Sequence, residues 1–372
     1  MSWRQGEFAA RVVAWQRRCG RRDLPWQRTR DPYRVWLSEI MLQQTQVTTA
    51  RDYYARFLQH FPDVHALADA SLDAVLALWA GLGYYTRARD LHRCAREIVA
   101  NHGGRFPSSA AELESLPGIG RSTAGAIAAF CFDERVPILD GNVKRTLARV
   151  FAIDGDPSAA AVQRDLWRRA QALLPGVQAS ESMPAYIQGL MDLGATVCRV
   201  HKPRCQDCPL AGGCLAFRKG DVERYPVRRS KPARQRMVIW LLLAVDRDRR
   251  AWLVRRPLGG IWAGLYCLPA FDTRADLLSC VPQHAWAQVE DHSAFTHVLT
   301  HRELVIHVVS WNTEPLAPID MAGNWFAADR WPALGVPSPV RRLLRTLADE
   351  RIASTLTEAP VHDDASAHAS DR

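Results

Sequence analysis

The stretch Leu116–Arg145 constrains this chain more than any other. It opens Leu116-Pro117-Gly118-Ile119-Gly120-Arg121-Ser122-Thr123-Ala124, continues through small residues, and closes Val136-Pro137-Ile138-Leu139-Asp140-Gly141-Asn142-Val143-Lys144-Arg145. Two short apolar runs are joined through two glycines. Gly118 and Gly120 are expected to take backbone angles closed to other residues and turn their N–H groups outward together. Those amides would stand at the start of a helix through Ala124 to Phe130. Converging amides at a helix N-terminus attract a phosphate without a cationic side chain. Such a grip holds backbone position and reads no base. In the second half one carboxylate, Asp140, precedes a helix expected over Asn142 to Phe151. An N-cap is the ordinary role of such an Asp; a reacting carboxylate is the alternative.

A formal charge of +9 over 372 residues suits a polyanionic partner. The 48% hydrophobic content and thirteen Trp exclude a disordered chain and allow two domains. No apolar run approaches the roughly 20 residues of a membrane span, and the start lacks the apolar core of a signal peptide. A soluble intracellular protein is therefore expected. Of nine Cys, four cluster as Cys198-x6-Cys205-x2-Cys208-x5-Cys214. That spacing signals metal ligation in a reducing compartment rather than a disulfide framework. Four thiolates can enclose a tetrahedral zinc or a four-iron cube, and His201 adds a zinc option with three cysteines. Cys19, Cys94, Cys131, Cys267 and Cys280 read as buried small hydrophobes.

Asp31-Pro32 reads as N-cap and first residue of a long helix reaching about His60. Glu39 lies in it, among Val35-Trp36-Leu37-Ser38 and Ile40-Met41-Leu42. It is either a solvated surface Glu or a buried one. Burial would raise its pKa and let it hold a proton near neutral pH, as a general acid for breaking a bond to a sugar carbon must. Gln43, Gln44 and Thr45 follow and can meet base edges or sit as surface amides. Tyr84-Tyr85, in the break Gly81-Leu82-Gly83, can wedge between bases or pack structurally. Helices are further expected over Ser71–Ala80, Thr86–Asn101, Ala159–Leu174 and Met183–Thr196.

Leu116–Thr123 resembles the hairpin of helix-hairpin-helix DNA glycosylases, and Leu139–Val143 resembles their Gly/Pro…Asp loop. The cysteine run is similar to the cluster loop of the endonuclease III and adenine glycosylase branch, which implies a 4Fe–4S cluster on Cys198, Cys205, Cys208 and Cys214. Glu39 then maps to the general acid, Asp140 to the carboxylate that stabilises the oxocarbenium-like sugar, and Asn142 to a residue beside it. Strand-cutting members carry a Lys after the hairpin as Schiff-base nucleophile. Ser122 stands there in this chain, which implies a monofunctional enzyme. Gln43, Gln44, Tyr84, Gly118, Gly120 and Ser122 are the DNA contacts expected in this half of the chain.

From Met237 the pattern turns to strands: Val238–Val245 and Ala251–Arg256 as a hairpin, then segments near Ala294–Leu299, Leu304–Val309 and Trp325–Phe326. Helices are expected at Asp272–Cys280 and Val340–Leu347. The layout resembles a Nudix-type α+β domain, as in adenine DNA glycosylases of the MutY family. Residues 259–281 lack the Glu series that a pyrophosphohydrolase needs for divalent cations. The domain is expected to bind without hydrolysing. The family's Phe-Ser-His turn is matched by Leu299-Thr300-His301, which adds Thr300 and His301 to the DNA contacts.

The expected architecture is an N-terminal all-α helix-hairpin-helix glycosylase domain, 1–219, with its iron–sulfur loop at 198–214. A basic linker covers 220–236, a C-terminal Nudix-like lesion-recognition domain 237–348, and a disordered tail 349–372. The resemblance implies excision of adenine from A:8-oxoguanine or A:G mispairs in double-stranded DNA, by a monomer at the nucleoid of a bacterial cytoplasm. A bifunctional endonuclease III-like glycosylase and a non-catalytic iron–sulfur DNA-binding protein are the alternatives.

Overall fold

The computed structural model describes residues 3–4, 6–176, 182–227, 233–314, 319 and 321–348; the expected tail and the centre of the expected linker lie outside them. Fourteen α-helices are described: α1 Glu7–Cys19, α2 Pro32–Leu42, α3 Val47–His60, α4 Val64–Asp69, α5 Leu72–Trp79, α6 Thr86–His102, α7 Ala110–Ser115, α8 Arg121–Phe132, α9 Gly141–Val150, α10 Ala160–Ala172, α11 Met183–Thr196, α12 Leu215–Arg218, α13 Arg274–Ser279 and α14 Ser338–Ala348. Eight strands are described: β1 Gln235–Asp246, β2 Ala251–Arg255, β3 Tyr266–Cys267, β4 Ala270–Phe271, β5 Val289–Asp291, β6 Phe295–Val298, β7 Arg302–Thr313 and β8 Asn324–Phe326. The described residues group into two compact units, one holding those of 3–69 and 90–227, the other those of 70–89 and 233–348.

The first unit is helical. Its core gathers Phe8 and Val12 of α1, Leu147 of α9, and Ile187 and Leu193 of α11, each 1% exposed or less. Full burial of such a side chain contributes about 1.5–3 kcal/mol. The α1–α11 contact also carries a charge. Asp192, fully buried on α11, accepts from the Arg21 backbone N–H at 3.0 Å, from Arg21 Nε at 2.7 Å and from Gln188 Nε2 at 2.8 Å. Three donors offset the cost of burying that carboxylate.

The helix expected to run from Tyr33 to about His60 is two helices. Asp31 caps α2, accepting from Tyr33 N–H at 2.9 Å, with Pro32 first in the helix. α2 stops at Leu42; Gln44 takes φ 57° and α3 starts at Val47. A left-handed residue cannot continue a right-handed helix, and apolar periodicity on both sides conceals the break.

α7 and α8 form a helical hairpin. Gly118 has φ 75°, and a Cβ there would stand 2.7 Å from Asp90 Cβ. Gly120 differs from expectation: as N-cap of α8 it has φ −86°, which any residue can adopt. A Cβ on Gly120 would meet nothing within 4 Å. Of the two, only Gly118 needs glycine for its backbone; Gly120 leaves the mouth of the hairpin open.

The second unit is built on a mixed sheet. β1 and β7 run parallel in unbroken register from Gln235↔Arg302 to Asp246↔Thr313. β1 and β2 form the expected hairpin, its turn tied by Arg250 N–H and Nε to Asp246, both at 2.8 Å. Leu242, Ala244, Val309 and Trp311 pack on Leu277 of α13. β6 and β7 are joined by a tight turn, closed by Leu299 N–H to Arg302 C=O at 2.8 Å, with Thr300 and His301 exposed at its tip. Residues 70–89 also belong to this unit. Asp73 pairs with Arg255 at 3.0 Å, and Arg89 Nη1 donates to the Ala263 carbonyl at 2.7 Å.

Candidate active site

Glu39 stands on the last turn but one of α2, a helix whose other residues from Val35 to Met41 are all buried. Its carboxyl makes no hydrogen bond among the described residues, and its surface is only partly open. Burial pushes its pKa up to about 8, and the nearby negative charge of Asp140 adds to the rise. The two carboxyl groups therefore act on each other electrostatically, as an acid–base pair must.

Asp140 is the N-cap of α9. Its Oδ1 accepts from Val143 N–H at 2.7 Å and its Oδ2 from Asn142 Nδ2 at 3.4 Å. Burial raises this carboxyl too, but Val143 N–H, the Arg145 guanidinium and the Asn142 amide all oppose the rise. Glu39 has no comparable donor. In the coupled pair the proton rests on Glu39 and the negative charge on Asp140. Capping and a charged state are thus compatible at Asp140, since the capping amide is one of the groups that favours the charged form.

The hairpin and the Asp140 loop are sewn together. Ser122, on the first turn of α8, accepts from Leu139 N–H at 3.0 Å. At Gly125 an added Cβ would lie 2.6 Å from the Pro137 carbonyl, so α8 approaches the loop too closely for a side chain. At Gly194 of α11 an added Cβ would lie 2.4 Å from Asn142 Cβ. Gln43 Nε2 donates to Thr123 Oγ1 at 3.4 Å, which brings the end of α2 to the hairpin, while Gln44 is exposed. Glu39, Gln43, Gly118, Gly120, Ser122, Asp140 and Asn142 all belong to the first unit.

Sequence patterning misses Arg145 and Arg149, on the inner face of α9 and 3% and 2% exposed. Arg145 donates to Asn142 Oδ1 at 2.7 Å, to the Gly194 carbonyl at 2.9 Å and to the Cys198 carbonyl at 2.8 Å. Arg149 donates to the carbonyls of Tyr225 and Val200, both at 2.9 Å, and to Cys198 Sγ at 3.4 Å. The only available signal was an Arg pair four apart on a helix otherwise apolar on that face. α9 thus links Asp140, at its start, to the cysteine loop through side chains along its length.

Cys198, Cys205, Cys208 and Cys214 line one chamber with Arg149, Leu210 and Phe217; His201 is exposed and outside it. Among the described residues no three His, Cys, Asp or Glu side chains are gathered tightly enough for a single metal ion. Burial pushes the Cys208 thiol up to about 12. Thiolates in this chamber need compensating positive charge, which Arg149 supplies in part. Four thiols around one chamber are a donor set that fits a thiolate-held metal group. Of the other cysteines, Cys94 and Cys267 are buried, Cys131 and Cys280 half-buried, and Cys19, contrary to expectation, exposed.

Tyr84, Thr300 and His301 belong to the second unit. Tyr84 has φ 47° and is 47% exposed. Its hydroxyl hydrogen-bonds Thr300 Oγ1 at 2.7 Å, and the Arg87 guanidinium lies 5.5 Å from its ring centroid. Two candidates read separately along the chain are thus in contact.

A raised pKa on a buried acid is also a stability statement. The unfolded Glu39 ionises near 4.5 and the folded one near 8. Between those values the unfolded state binds fewer protons, so the Glu39 contribution to stability falls as pH rises from about 4.5 to 8 and then levels off. Glu39→Gln should therefore be more stable than the parent at pH 8, by at least about 1.4 kcal/mol, the equivalent of one pKa unit. The gap should close toward pH 4.5. Denaturant midpoints across pH measure it; a pH-independent gap refutes the buried, protonated Glu39.

Residues 37–172 match the HhH-GPD superfamily of base excision DNA repair proteins, and residues 240–346 match the NUDIX domain. The chain is 34% identical over 342 residues to the adenine DNA glycosylase of Buchnera aphidicola subsp. Acyrthosiphon pisum, covering 91% of this chain and 96% of that one. It is 43% identical over 221 residues to the adenine DNA glycosylase of Mus musculus, covering 57% of this chain and 42% of that one. Among solved structures, a thermostable thymine-DNA glycosylase aligns at 27% identity with a TM-score of 0.51, covering 57% of this chain and 95% of that one. Matched over nearly its whole described length, with a helix-hairpin-helix unit joined to a Nudix-type one, the chain belongs to the adenine DNA glycosylase (MutY) family of base excision repair, hydrolases acting on N-glycosyl bonds.

Proposed function

We propose that this chain excises adenine mispaired with 8-oxoguanine or guanine in duplex DNA, by monofunctional hydrolysis of the N-glycosidic bond. The observation that carries the reading is the Glu39–Asp140 pair, one carboxyl without donors and raised to about 8, the other held by Val143 N–H and Asn142. The adenine leaves the base stack, at a cost of a few kcal/mol that is lower for a mispair. The Glu39 O–H gives its proton to a ring nitrogen of the flipped base. The C1′–N9 bond then breaks and its electron pair leaves with the adenine. The Asp140 carboxylate stabilises the positive charge left on the sugar, and water adds at C1′ to give the abasic site. Ser122 supplies no amine for a Schiff base, and its hydroxyl already accepts from Leu139 N–H; this disfavours a strand-cutting lyase. The hairpin amides from Gly118 to Arg121 would hold a phosphodiester, consistent with the duplex as partner of a monomer acting at the bacterial nucleoid.

Cys198, Cys205, Cys208 and Cys214 would hold a 4Fe–4S cluster, which when bound ties the loop into one rigid body. Arg149 and Arg145 would carry that rigidity to Asn142 and Asp140. Thr300 and His301, with Tyr84, would meet the base opposite the adenine.

Base release from an 8-oxoguanine:adenine duplex, read under single turnover, should fall as pH rises through about 8, where Glu39 loses its proton, and fall again in acid, where Asp140 gains one. Glu39→Gln should lower the rate by at least 10²-fold, the lower range for a general acid. Near-parental release by that variant sinks the mechanism. Thr300→Ala should reduce the preference for 8-oxoguanine over guanine several-fold while base release persists; an unchanged preference removes Thr300 from lesion reading. A point variant is the cleaner test than deletion of the second unit, because residues 70–89 depend on Arg255 and Ala263 for their contacts. Purified protein should carry four irons per chain and lose them when Cys198 is replaced by Ser. One bound zinc in place of iron would refute the cluster.

A further inference from the structure

Arg121 is the first residue of α8, immediately after Gly120, and it is exposed. Arginines on the neighbouring stretch of α10, where Trp167 lies, are tied to an acid: Arg168 and Arg169 both pair with Asp165. Among the described residues Arg121 forms no such pair. Its guanidinium lies over the ring of Trp167, on α10, with its central carbon 4.0 Å from the ring centroid. Trp167 is itself fixed, half-buried against the core around α9 and α11.

A guanidinium held over an aromatic ring by cation–π attraction keeps its N–H donors for another partner. An ion pair would hold Arg121 equally well, but it would consume the fork and cancel the charge. The side chain has also lost much of the rotamer freedom that a flexible Arg surrenders on binding. Gly120, whose missing Cβ leaves open space, adjoins it on the chain.

From these observations we propose that Arg121 is a preorganised phosphodiester contact, with Trp167 as its positioning residue. The Arg121 fork would take a non-bridging phosphate oxygen at the mouth of the hairpin, a charged contact added to the neutral amides. The inference rests on the duplex-DNA reading above and names a residue and a support that neither the hairpin nor the carboxylate pair requires.

The test measures binding of the full-length protein to a fluorescein-labelled undamaged duplex by anisotropy, from about 50 to 200 mM salt, the range over which phosphate contacts are read. Arg121→Ala should weaken binding about tenfold at the low-salt end and lower the log K against log salt slope by about 0.9, one phosphate's worth of released counterion. Arg121→Lys should restore the slope but not the full affinity, because the charge returns without the fork. Trp167→Leu should weaken binding several-fold in the parent and have no further effect in the Arg121→Ala background. Thermal unfolding of each variant separates folding from binding. If Trp167→Leu unfolds the chain, Trp167→Phe replaces it and the Arg121 arm decides. An unchanged slope in a folded Arg121→Ala protein overturns the proposal, as does an undiminished Trp167 effect without Arg121. Failure of the parent itself to bind duplex or release adenine would instead overturn the glycosylase reading.

Discussion

The unequal solvation of two buried, electrostatically coupled carboxyl groups is the constraint on which this structure turns. Glu39 has apolar neighbours and no donor; Asp140 has Val143 N–H, the Asn142 amide and the charge of Arg145. Both are buried, and burial raises both. Only the distribution of donors decides which of them keeps the proton. A pair solvated alike would share it, and neither role would be filled at neutral pH.

That asymmetry depends on α9. Its N-terminus supplies the capping amide to Asp140, and its inner face carries Arg145 and Arg149 to the backbone of the cysteine loop. Both guanidiniums are almost fully buried, a costly arrangement unless each N–H finds an acceptor. The carbonyls of Gly194, Cys198, Val200 and Tyr225 are those acceptors. The cysteine loop thus fixes the helix, and the helix fixes Asp140. Small residues complete the fit: Gly125 and Gly194 admit the Pro137 carbonyl and Asn142 at distances no side chain permits.

In the second unit the corresponding economy is a contact between two turns. Tyr84 is held in a left-handed conformation with Arg87 against its ring, and its hydroxyl meets Thr300 at the tip of the β6–β7 turn. The parallel β1–β7 pair gives that turn a rigid base. Tyr84 and Thr300 are therefore carried on one body, and α13 holds no Glu.

Much was legible along the chain because the signals are local. Pro32 after Asp31, the spacing of the four cysteines, the glycines of the hairpin and the alternation from Val238 to Val245 each report on a few neighbours in sequence. Glu39 and Asp140 could be singled out in the same way, by unusual neighbours and a helix start. The break at Gln43–Gln46 was hidden because α2 and α3 share an apolar phase. Gly120 looked like a residue needing a special backbone, and its φ of −86° shows that it does not.

By itself, then, the sequence determined the two fold types and singled out four clustered thiols and two carboxyls. Which carboxyl keeps its proton, the capture of residues 70–89 by the second unit, and the path from Asp140 to Cys198 were decided only in the tertiary structure. Solvation, burial and acceptor geometry depend on segments distant along the chain, such as Gly194 against Asn142 or Tyr225 against Arg149. No local pattern can encode what those segments will bring.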